Sequence, residues 1–568
     1  EIIQFLKVGF LQLIKNRKLN MSKIDPIKLG IIWKRLNGMI DEVAESFIRS
    51  SFSAVVRENY DMAFSLLDIK GRQFIQTKKS IPSFIGTLPH TLQEILKIIP
   101  IENFNEGDVV ISNDSWLGTG HLNDITMIYP IFKKNKLIAF AGSTAHTVDI
   151  GGAPSPNAQD SYEEGLCIPV CKIVEKGIEN KTIISFLEQN LREPDETLGD
   201  IRAQFSAYKV ATTKLLNLLK EEKLNNLDDI IHNILTRSED SMRKKITDIP
   251  DGKYEDEMLV DGFDHPLRIK CSIAIKKDQI TVDFTGTSNQ INRPINSVFN
   301  YTYAYACYAL KCAIDPTAPN NDGSFRPVKI IAPEGTIVNP RRPAPVWGRH
   351  LTGHYIPPSI YGALSKVIPN SIIAESGSPL WNIYFKGRKE INDRPFVKMF
   401  FMNGGHGARS KSDGPGCLSF PSNVSNQSIE QFENQAPLIV HEKSFVKDTQ
   451  GIGQYVGGAA QRISFESTSK KPIMMTIRHE RVFHPPRGIL GGGDGSKGID
   501  LVNNKKIPAK SSYPLQFGDI ATFQTPGGGG MFSPSNRDEN KVLEDVESEL
   551  LSLKKAELIY KKKVSRKK

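Results

Sequence analysis

The chain has 568 residues, which corresponds to three or four domains of about 150 residues each. Hydrophobic residues make up 39% of it and charged residues 24%, so a wholly disordered chain is excluded. Its six cysteines are too sparse for a secreted disulfide framework and include no CxxC pair. We therefore expect reduced thiols and a cytoplasmic protein.

The formal net charge of +10 comes from the two ends of the chain. Residues 1–20 contain four basic groups and one acidic group, and residues 553–568 contain eight and one, so residues 21–552 are formally neutral. A neutral body with basic tails lacks the broad basic face that binds a phosphate backbone. We therefore expect no nucleic-acid partner.

The first 20 residues are apolar, but Lys7 interrupts the apolar run and a basic cluster follows it, the reverse of a signal peptide. We expect residues 1–20 to be an upstream extension outside the fold. A main unit over 21–540 and a C-terminal helix with a basic tail over 541–568 would follow. No run reaches the roughly 18 apolar residues that a membrane span needs, so we expect a soluble protein without a membrane partner.

Residues 26–50 carry apolar side chains at helical spacing, including Ile31 and Trp33, and predict an amphipathic helix. No internal repeat and no long low-complexity linker is visible. The fold class is therefore predicted as mixed α+β, with antiparallel sheets, a helical insert and a β-rich C-terminal half. In chain order, the hydrophobic pattern predicts strands at 107–112, 124–132 and 136–146, helices over about 182–245, an antiparallel meander at 254–286, a buried helix at 296–314, a β-rich portion at about 435–525 and a final helix at 536–560.

The most informative segment contains two His-x2-Asp pairs, the first formed by His121 and Asp124 and the second beginning at His146. The segment predicts a hairpin whose turn is centred on the polar sequence KKNK. An antiparallel hairpin brings the start of its first strand beside the end of its second, which would place His146 opposite Asn123. We expect His121, Asp124 and His146 to converge at this end of the hairpin.

Two imidazoles and a carboxylate with open coordination positions suit a divalent first-row metal such as Mn, Fe or Zn. Such an ion could polarise a carbonyl group or activate water. The alternative is that the three side chains form a hydrogen-bonded polar cap on the hairpin without a metal.

Seven segments occur in a fixed order along the chain: NDSWLGTGHLND, AHTVDIGG, YEEGLCIP, NLREPDETLGDIRAQ, NNDGSFRPVKIIAPEGTIVNPRRPAPV, FPSNVSNQSIE and TPGGGGMFSP. By these segments, the chain resembles the hydantoinase B/oxoprolinase family over roughly residues 25–540. That family includes the corresponding subunits of N-methylhydantoinase and of the acetone and acetophenone carboxylases.

The resemblance implies a metal held by His121, Asp124 and His146, as in the acetone carboxylase member, with Asp149 orienting a metal-bound imidazole. It implies that residues 21–540 are the catalytic unit of a B-type subunit, whose A-type partner in a hetero-oligomer binds ATP and phosphorylates a small-molecule substrate. The implied activity is ATP-dependent hydrolysis of a cyclic amide such as a hydantoin or 5-oxoproline. A ketone carboxylase subunit and a non-catalytic structural subunit remain as alternatives.

Other polar residues are weaker candidates. Glu164, next to Glu163, could act as a general base or a further ligand, although a solvated charge pair is the simpler interpretation. Arg326 could anchor a substrate in its loop, or it could form a structural ion pair. Histidines that could line a cleft, but are more often structural, are His350, His354 and His406.

The glycine clusters do not predict a nucleotide site. The GxGxxG string that begins at Gly493 is followed by IDLV, which predicts a strand where a dinucleotide site needs a helix. Gly527–Gly530 is expected to permit close backbone contact in an irregular loop. The chain has no GxxxxGK[ST] and no GxSxG sequence, so ATP binding is expected in the partner.

Overall fold

The computed structural model describes residues 24–153, 155–390, 392–418 and 420–560. The predicted extension over 1–20 and the last residues of the basic tail, 561–568, lie outside the described residues. The helices of the described part are α1 Pro26–Ser50, α2 Ala54–Arg57, α3 Thr87–Ile98, α4 Lys181–Asn190, α5 Pro194–Glu221, α6 Asp228–Thr247, α7 Phe299–Ile314, α8 Asp322–Phe325, α9 His350–Gly353, α10 Ile356–Leu364, α11 Ile429–Gln435, α12 Glu539–Glu547 and α13 Leu553–Tyr560.

The strands fall into four sheets, and together with the helices they confirm the predicted mixed α+β class. The strands are β1 Met62–Leu67, β2 Gln73–Gln76, β3 Val109–Ser112, β4 Asp124–Lys133, β5 Lys136–His146, β6 Cys171–Glu175, β7 Ile178–Glu179, β8 Gly252–Val260, β9 Leu267–Lys276, β10 Gln279–Asp283, β11 Val328–Ile331, β12 Trp381–Arg388, β13 Pro395–Met402, β14 Leu438–Val446, β15 Ala460–Ser467, β16 Ile473–Arg478, β17 Ile499–Val502, β18 Lys505–Lys506, β19 Lys510–Leu515 and β20 Ile520–Gln524.

Helix α1 has the amphipathic character that its sequence predicts. The Asp25 side chain accepts a hydrogen bond from the Lys28 backbone N–H (2.9 Å), and Pro26 occupies the first turn, two features that favour a helix start. Ile31 was predicted on the buried face but is 54% exposed, because successive helical residues point about 100° apart. The buried face is formed by Leu29, Ile32, Leu36, Met39, Ile40, Val43, Ala44, Phe47 and Ile48.

A seven-stranded antiparallel sheet, ordered β2-β1-β5-β4-β3-β6-β7, carries the predicted hairpin β4–β5 at its centre. The predicted helical stretch over 182–245 is present as α4, α5 and α6. Helix α5 packs against α1 and against β4 and β5 of this sheet, and its buried Tyr208 donates a hydrogen bond to the Met127 carbonyl of β4 (2.9 Å). The central hairpin is therefore shielded from solvent, which fits its near-continuous burial.

The predicted meander and the predicted buried helix are also present. Strands β8, β9 and β10 pair antiparallel in succession, and β11 pairs parallel with β10. Helix α7 packs against α10 and α3. Its Tyr301 and Tyr305, one turn apart, are fully buried and reach the functional site described below.

The β-rich half begins at Trp381, well before the predicted start at about 435. It consists of two sheets, ordered β13-β12-β16-β19 and β14-β15-β20-β17-β18. Phe385 of the first sheet and Phe465 of the second meet edge to face, with ring centroids 5.6 Å apart. The two sheets therefore share one apolar core.

The predicted final helix is two helices, α12 and α13, because Glu549 between them adopts a positive φ of 59°. The turn allows Val546 and Tyr560 to enter one small apolar cluster, and Asp448 accepts a hydrogen bond from the Ser552 N–H ahead of α13 (2.8 Å). Among the described helices, none combines the length and the apolar character that crossing a bilayer requires.

Candidate functional site

The β4–β5 hairpin brings its two ends together in a register that the sequence did not predict. Lys134 and Asn135 at the turn both have positive φ, as a two-residue hairpin turn requires. Ile138 is an extra residue in β5, because Phe132 pairs with Leu137 whereas Ile131 pairs with Ala139.

This β-bulge shifts the ladder by one residue, so His146 pairs with Asp124 and not with Asn123 as predicted. Residues that pair directly point to the same face of a sheet, whereas a one-residue slip would send them to opposite faces. The bulge is therefore what places the His146 and Asp124 side chains together.

The three predicted metal ligands form one buried group. Asp124 Oδ1 lies 2.7 Å from His121 Nε2 and 3.0 Å from His146 Nδ1, and one donor atom from each residue lies within 4.8 Å of the others. The remaining ring nitrogens, His121 Nδ1 and His146 Nε2, have no hydrogen-bond partner. Two donors at about 2.1 Å from one ion, separated by about 90–110°, are themselves about 3.0–3.4 Å apart. The Asp124–His146 separation of 3.0 Å falls in this range, whereas the Asp124–His121 separation of 2.7 Å is shorter, as in a hydrogen bond. The donor types suit a divalent cation.

Arg349 adds a buried positive charge beside Asp124. Its Nη2 donates to Asp124 Oδ2 (2.6 Å), its Nε donates to the Thr119 carbonyl (2.6 Å), and its guanidinium lies over the Tyr301 ring at 4.3 Å. Burial alone would raise the pKa of Asp124, but His121 and Arg349 hold it well below its usual value. Burial and Arg349 lower the pKa of His121 to about 3. At neutral pH the site thus offers a carboxylate and a neutral imidazole, the protonation states that bind metals.

The loop before β4 is fixed by side-chain amides. The Asn113 side chain donates to the Leu122 carbonyl (2.7 Å) and accepts from the Ile168 N–H (2.6 Å). Gly120 has a φ of +103°, and a Cβ there would lie 2.6 Å from Arg349 Cδ and 2.8 Å from Val298 Cγ2. Glycine is thus required for Arg349 to reach the carboxylate next to His121.

The group borders a cavity that is lined by buried residues. Its other walls include Asp61, Tyr301, His350, Asn382 and Arg478. The space open to the centres of water molecules is about 50 Å³, several times the roughly 10–15 Å³ that one water needs. Asp61 Oδ2 lies 3.9 Å from His146 Nδ1, while Asp61 Oδ1 has no hydrogen-bond partner. The cavity therefore has room for a small polar molecule beside the three predicted metal ligands.

His350 and His354 both line this cavity, as the sequence suggested, but they differ in their bonding. His354 Nδ1 accepts from the Leu380 N–H (3.2 Å), so Nε2 carries the proton and donates to the hydroxyls of Tyr305 (3.0 Å) and Tyr301 (3.2 Å). His354 is thus a fully bonded structural residue. His350 Nε2 has no partner, and burial lowers the pKa of this ring well below its usual value. His350 is therefore neutral and available to a ligand.

The position predicted for Asp149 needs correction, because none of its hydrogen bonds to described residues reaches His121 or His146. Its Oδ1 accepts from Arg192 Nη1 (2.8 Å) and from the Gly151 N–H (3.1 Å), and its Oδ2 accepts from the Glu193 N–H (3.2 Å). These contacts fix the segment that leads into α5. They give Asp149 a structural function in place of the predicted orientation of an imidazole.

Glu164 and Glu163 are not the solvated pair that the sequence suggested. Glu163 is exposed, whereas Glu164 is buried. Glu164 Oε1 accepts from the Val346 N–H (2.6 Å) and the Trp347 N–H (2.7 Å), and Oε2 has no partner. Burial raises the pKa of Glu164 to about 8, so this carboxyl is protonated at pH 7. It holds the cavity wall at Trp347 and lies outside the metal-binding group.

Arg326 and His406 lie away from the cavity. Arg326 Nη1 forms an ion pair with Glu239 Oε2 (2.8 Å), which is the structural alternative that the sequence left open. His406 Nδ1 bonds to the adjacent Gly407 carbonyl (2.7 Å). The substrate-anchoring position predicted for Arg326 is therefore not found at this cavity.

The glycine-rich segments have the predicted backbone character. IDLV after the GxGxxG string is strand β17. A Cβ at Gly528 would lie 2.1 Å from the His406 carbonyl oxygen, so this loop does pack backbone against backbone.

Three charged residues of the cavity were missed from the sequence. Asp61 directly precedes β1, far upstream in the chain. Arg349 directly precedes His350, and only His350 was considered as a candidate. Arg478 is the last residue of the apolar strand IMMTIR. A charged residue at the end of a buried strand needs a polar partner, and this pattern could have indicated a functional residue.

Comparisons with known proteins agree with this architecture. A family model described as hydantoinase B/oxoprolinase matches residues 25–534. A protein of Pseudomonas sp. (strain NS671), named as the B-type subunit of a putative D-/L-hydantoinase, is 30% identical over 572 residues, with 95% of each chain covered.

Two solved structures share the fold. The ATP-dependent caprolactamase from Pseudomonas jessenii has a TM-score of 0.87 at 24% identity, over 96% of this chain and 98% of that one. A nucleotide-free acetone carboxylase has a TM-score of 0.85 at 17% identity, over 94% and 79% of the two chains. From the family match over nearly the whole described length, we conclude that the chain belongs to the hydantoinase B/oxoprolinase family.

Proposed function

We propose that this chain is the B-type subunit of a two-component, ATP-dependent enzyme that hydrolyses a cyclic amide of the hydantoin or 5-oxoproline type. The observation that carries this proposal is the buried group of His121, Asp124 and His146 beside a cavity lined by buried residues. The family membership supports the reaction class. Relatives named as the B-type component of a hydantoinase and the beta component of caprolactamase support a two-component assembly.

A divalent ion of the Mn, Fe or Zn type would be held by His121, Asp124 and His146. When bound, such an ion supplies Lewis-acid polarisation of a carbonyl oxygen or of water. Arg349 keeps Asp124 ionised and oriented toward the two imidazoles. Asp61 Oδ1, which is unpaired at the cavity, accepts a hydrogen bond from a water or from a substrate N–H.

ATP would be used by the A-type partner. This chain has no phosphate-binding loop of the GxxxxGK[ST] type, so it is not expected to phosphorylate the amide by itself. We propose that the partner phosphorylates the amide oxygen and that the activated ring is opened in the cavity described here. Phosphorylation makes the ring carbon more electrophilic. Water adds to this carbon, the C–N bond breaks as the ring nitrogen takes up a proton, and a second water hydrolyses the resulting acyl phosphate to a carboxylate and phosphate.

The second candidate function is a ketone carboxylase subunit. It is favoured by the shared fold with acetone carboxylase. In that case the same three side chains would hold the ion beside the enolate of a small ketone, and the partner would consume ATP in the presence of bicarbonate.

The deciding experiment is ATP turnover by the chain co-expressed with an A-type subunit, across hydantoins, 5-oxoproline, caprolactam and small ketones with bicarbonate. We expect ATP hydrolysis coupled to ring opening, and none from the isolated chain. Coupling only to a ketone with bicarbonate would assign the carboxylase function. ATP hydrolysis by the isolated chain would contradict the two-component proposal.

Two variants separate a catalytic from a structural subunit. His121→Ala should abolish ring opening by the complex. His441→Ala is the matched control, because His441 is exposed and pairs with Glu466 far from the cavity residues. Full ring-opening activity in His121→Ala would favour the non-catalytic structural subunit.

A further inference from the structure

Arg478 is a buried cation without a carboxylate partner. Four arginines are buried among the described residues, and three of them, Arg349, Arg481 and Arg537, form ion pairs with carboxylates at 2.6 to 2.9 Å. No described carboxylate lies within the 4.0 Å ion-pair distance of Arg478. Because an uncompensated buried charge is unfavourable, its presence at a cavity wall requires an explanation.

The Arg478 guanidinium is held in place by groups that do not neutralise it. It lies over the Trp347 ring at 3.6 Å and near the Tyr384 ring at 4.9 Å. Its Nη1 donates to the Trp347 carbonyl (3.0 Å), and its Nε has no partner. Glu164 supports this arrangement by binding the Trp347 N–H, but it is protonated at pH 7 and adds no negative charge. These contacts orient the cation and leave its charge available.

Two further unpaired polar atoms lie on the walls of the same cavity. Asn382 pairs directly with Arg478 across strands β12 and β16, so the two side chains project from the same face of their sheet. Asn382 Oδ1 and His350 Nε2 are buried and have no hydrogen-bond partner. An amide oxygen only accepts hydrogen bonds, so Asn382 Oδ1 cannot donate to an anion. The polar groups of this region that can face an anion are Arg478 and His350, and Asn382 is the strand neighbour of Arg478.

We propose that Arg478 and His350 form a subsite for a compact oxyanion, and that this anion is the phosphoryl group of the activated amide. The identity of the anion rests on the proposed function, in which the partner phosphorylates the substrate, whereas the subsite itself rests on the buried Arg478 cation and on the unpaired His350 nitrogen at the cavity wall. Arginine is suited to phosphoryl oxygens because its planar guanidinium presents several N–H donors. Arg478 would hold the phosphoryl group while the proposed metal ligands face the carbon that is attacked.

The test is calorimetric titration of the full, metal-loaded chain with inorganic phosphate. We expect Arg478→Gln to weaken phosphate binding at least about 30-fold, the order expected for loss of a charge-assisted contact. Arg326→Gln removes the same charge from a partly exposed ion pair outside the cavity and should change the Kd less than about twofold. Equal weakening in both variants, or no phosphate binding by the wild type, would overturn the subsite.

A second variant covers the case in which Arg478→Gln does not fold. Asn382→Asp places a carboxylate directly opposite Arg478 without changing side-chain size, so we expect an internal ion pair, an unchanged or raised unfolding temperature and loss of phosphate binding. Retained phosphate affinity in folded Asn382→Asp would contradict the proposal.

Phosphate binding is measured separately from turnover. Phosphate binding without activity on any cyclic amide would reject the proposed function and support the subsite, and normal turnover without phosphate binding would reject the subsite alone.

Discussion

His146 lies directly opposite Asp124 across the β4–β5 ladder because Ile138 is accommodated as a bulge. Without the bulge, a hairpin with the same turn would pair His146 with Asn123, and the imidazole would point to the other face of the sheet. One extra residue near the turn therefore determines whether the two side chains can share a cation at the far end of the hairpin.

The first prediction concerns the metal. We expect the purified wild type to contain about one divalent ion per chain, and His121→Ala and His146→Ala to lose it, because two remaining protein donors do not retain the ion against water. Elemental analysis after purification without chelator measures the ion, and circular dichroism checks the fold. A wild type without stoichiometric metal would leave the group as a hydrogen-bonded cap.

The sequence was sufficient to predict the main elements and the convergence of the three proposed metal ligands. Long periodic segments such as α1 and α7 gave a clear signal, because one face or the whole surface is apolar. The convergence was predicted with the wrong register, since a bulge such as that at Ile138 has no reliable sequence signal. The correct grouping thus depended on the family resemblance as well as on the hairpin.

The cavity walls could not be predicted in the same way. Arg349 meets Asp124, and Arg478 meets Trp347, only through contacts between elements far apart in the chain. Local patterns report which face of an element is buried, but they do not report which element it will face. The buried state of Glu164 was missed for that reason, because its partners are the backbone N–H groups of Val346 and Trp347.

A second prediction follows from the position of Asp149. Asp149→Asn should lower stability by about 1–3 kcal/mol, since it weakens charge-assisted bonds to Arg192 and to backbone N–H groups. Metal content should stay at the wild-type level, because no bond links Asp149 to an imidazole. Denaturation midpoints and elemental analysis measure the two effects. A loss of metal from a stably folded variant would restore the orienting function that the family resemblance implied.

A third prediction concerns Gly120, whose Cβ would collide with Arg349 and Val298. Gly120→Ala should displace Arg349, lower the denaturation midpoint and reduce ring opening by the complex. Gly177→Ala is the matched control: Gly177 also has a positive φ, of +84°, but no atom lies within 4 Å of the added carbon. The control should cost only about 1 kcal/mol of backbone strain and keep full activity. Equal losses in both variants would show that φ, and not the contact with Arg349, is responsible.

The last prediction is a pH dependence carried by Glu164. Burial raises the pKa of its carboxyl to about 8 in the folded chain, against an ordinary value of 4.5. Between these values the folded state retains a proton that the unfolded state releases, so this group's contribution to stability falls as the pH rises, by up to about 1.4 kcal/mol per pH unit. Glu164→Gln keeps an oxygen that can accept the two backbone bonds but does not titrate. Its stability relative to the wild type should therefore increase from pH 5 to pH 8, as measured by denaturation midpoints at several pH values. Glu163→Gln changes the exposed neighbouring residue, so its stability should show the same pH dependence as that of the wild type. If the stability difference between Glu164→Gln and the wild type stays constant with pH, the folded carboxyl is already ionised at pH 5.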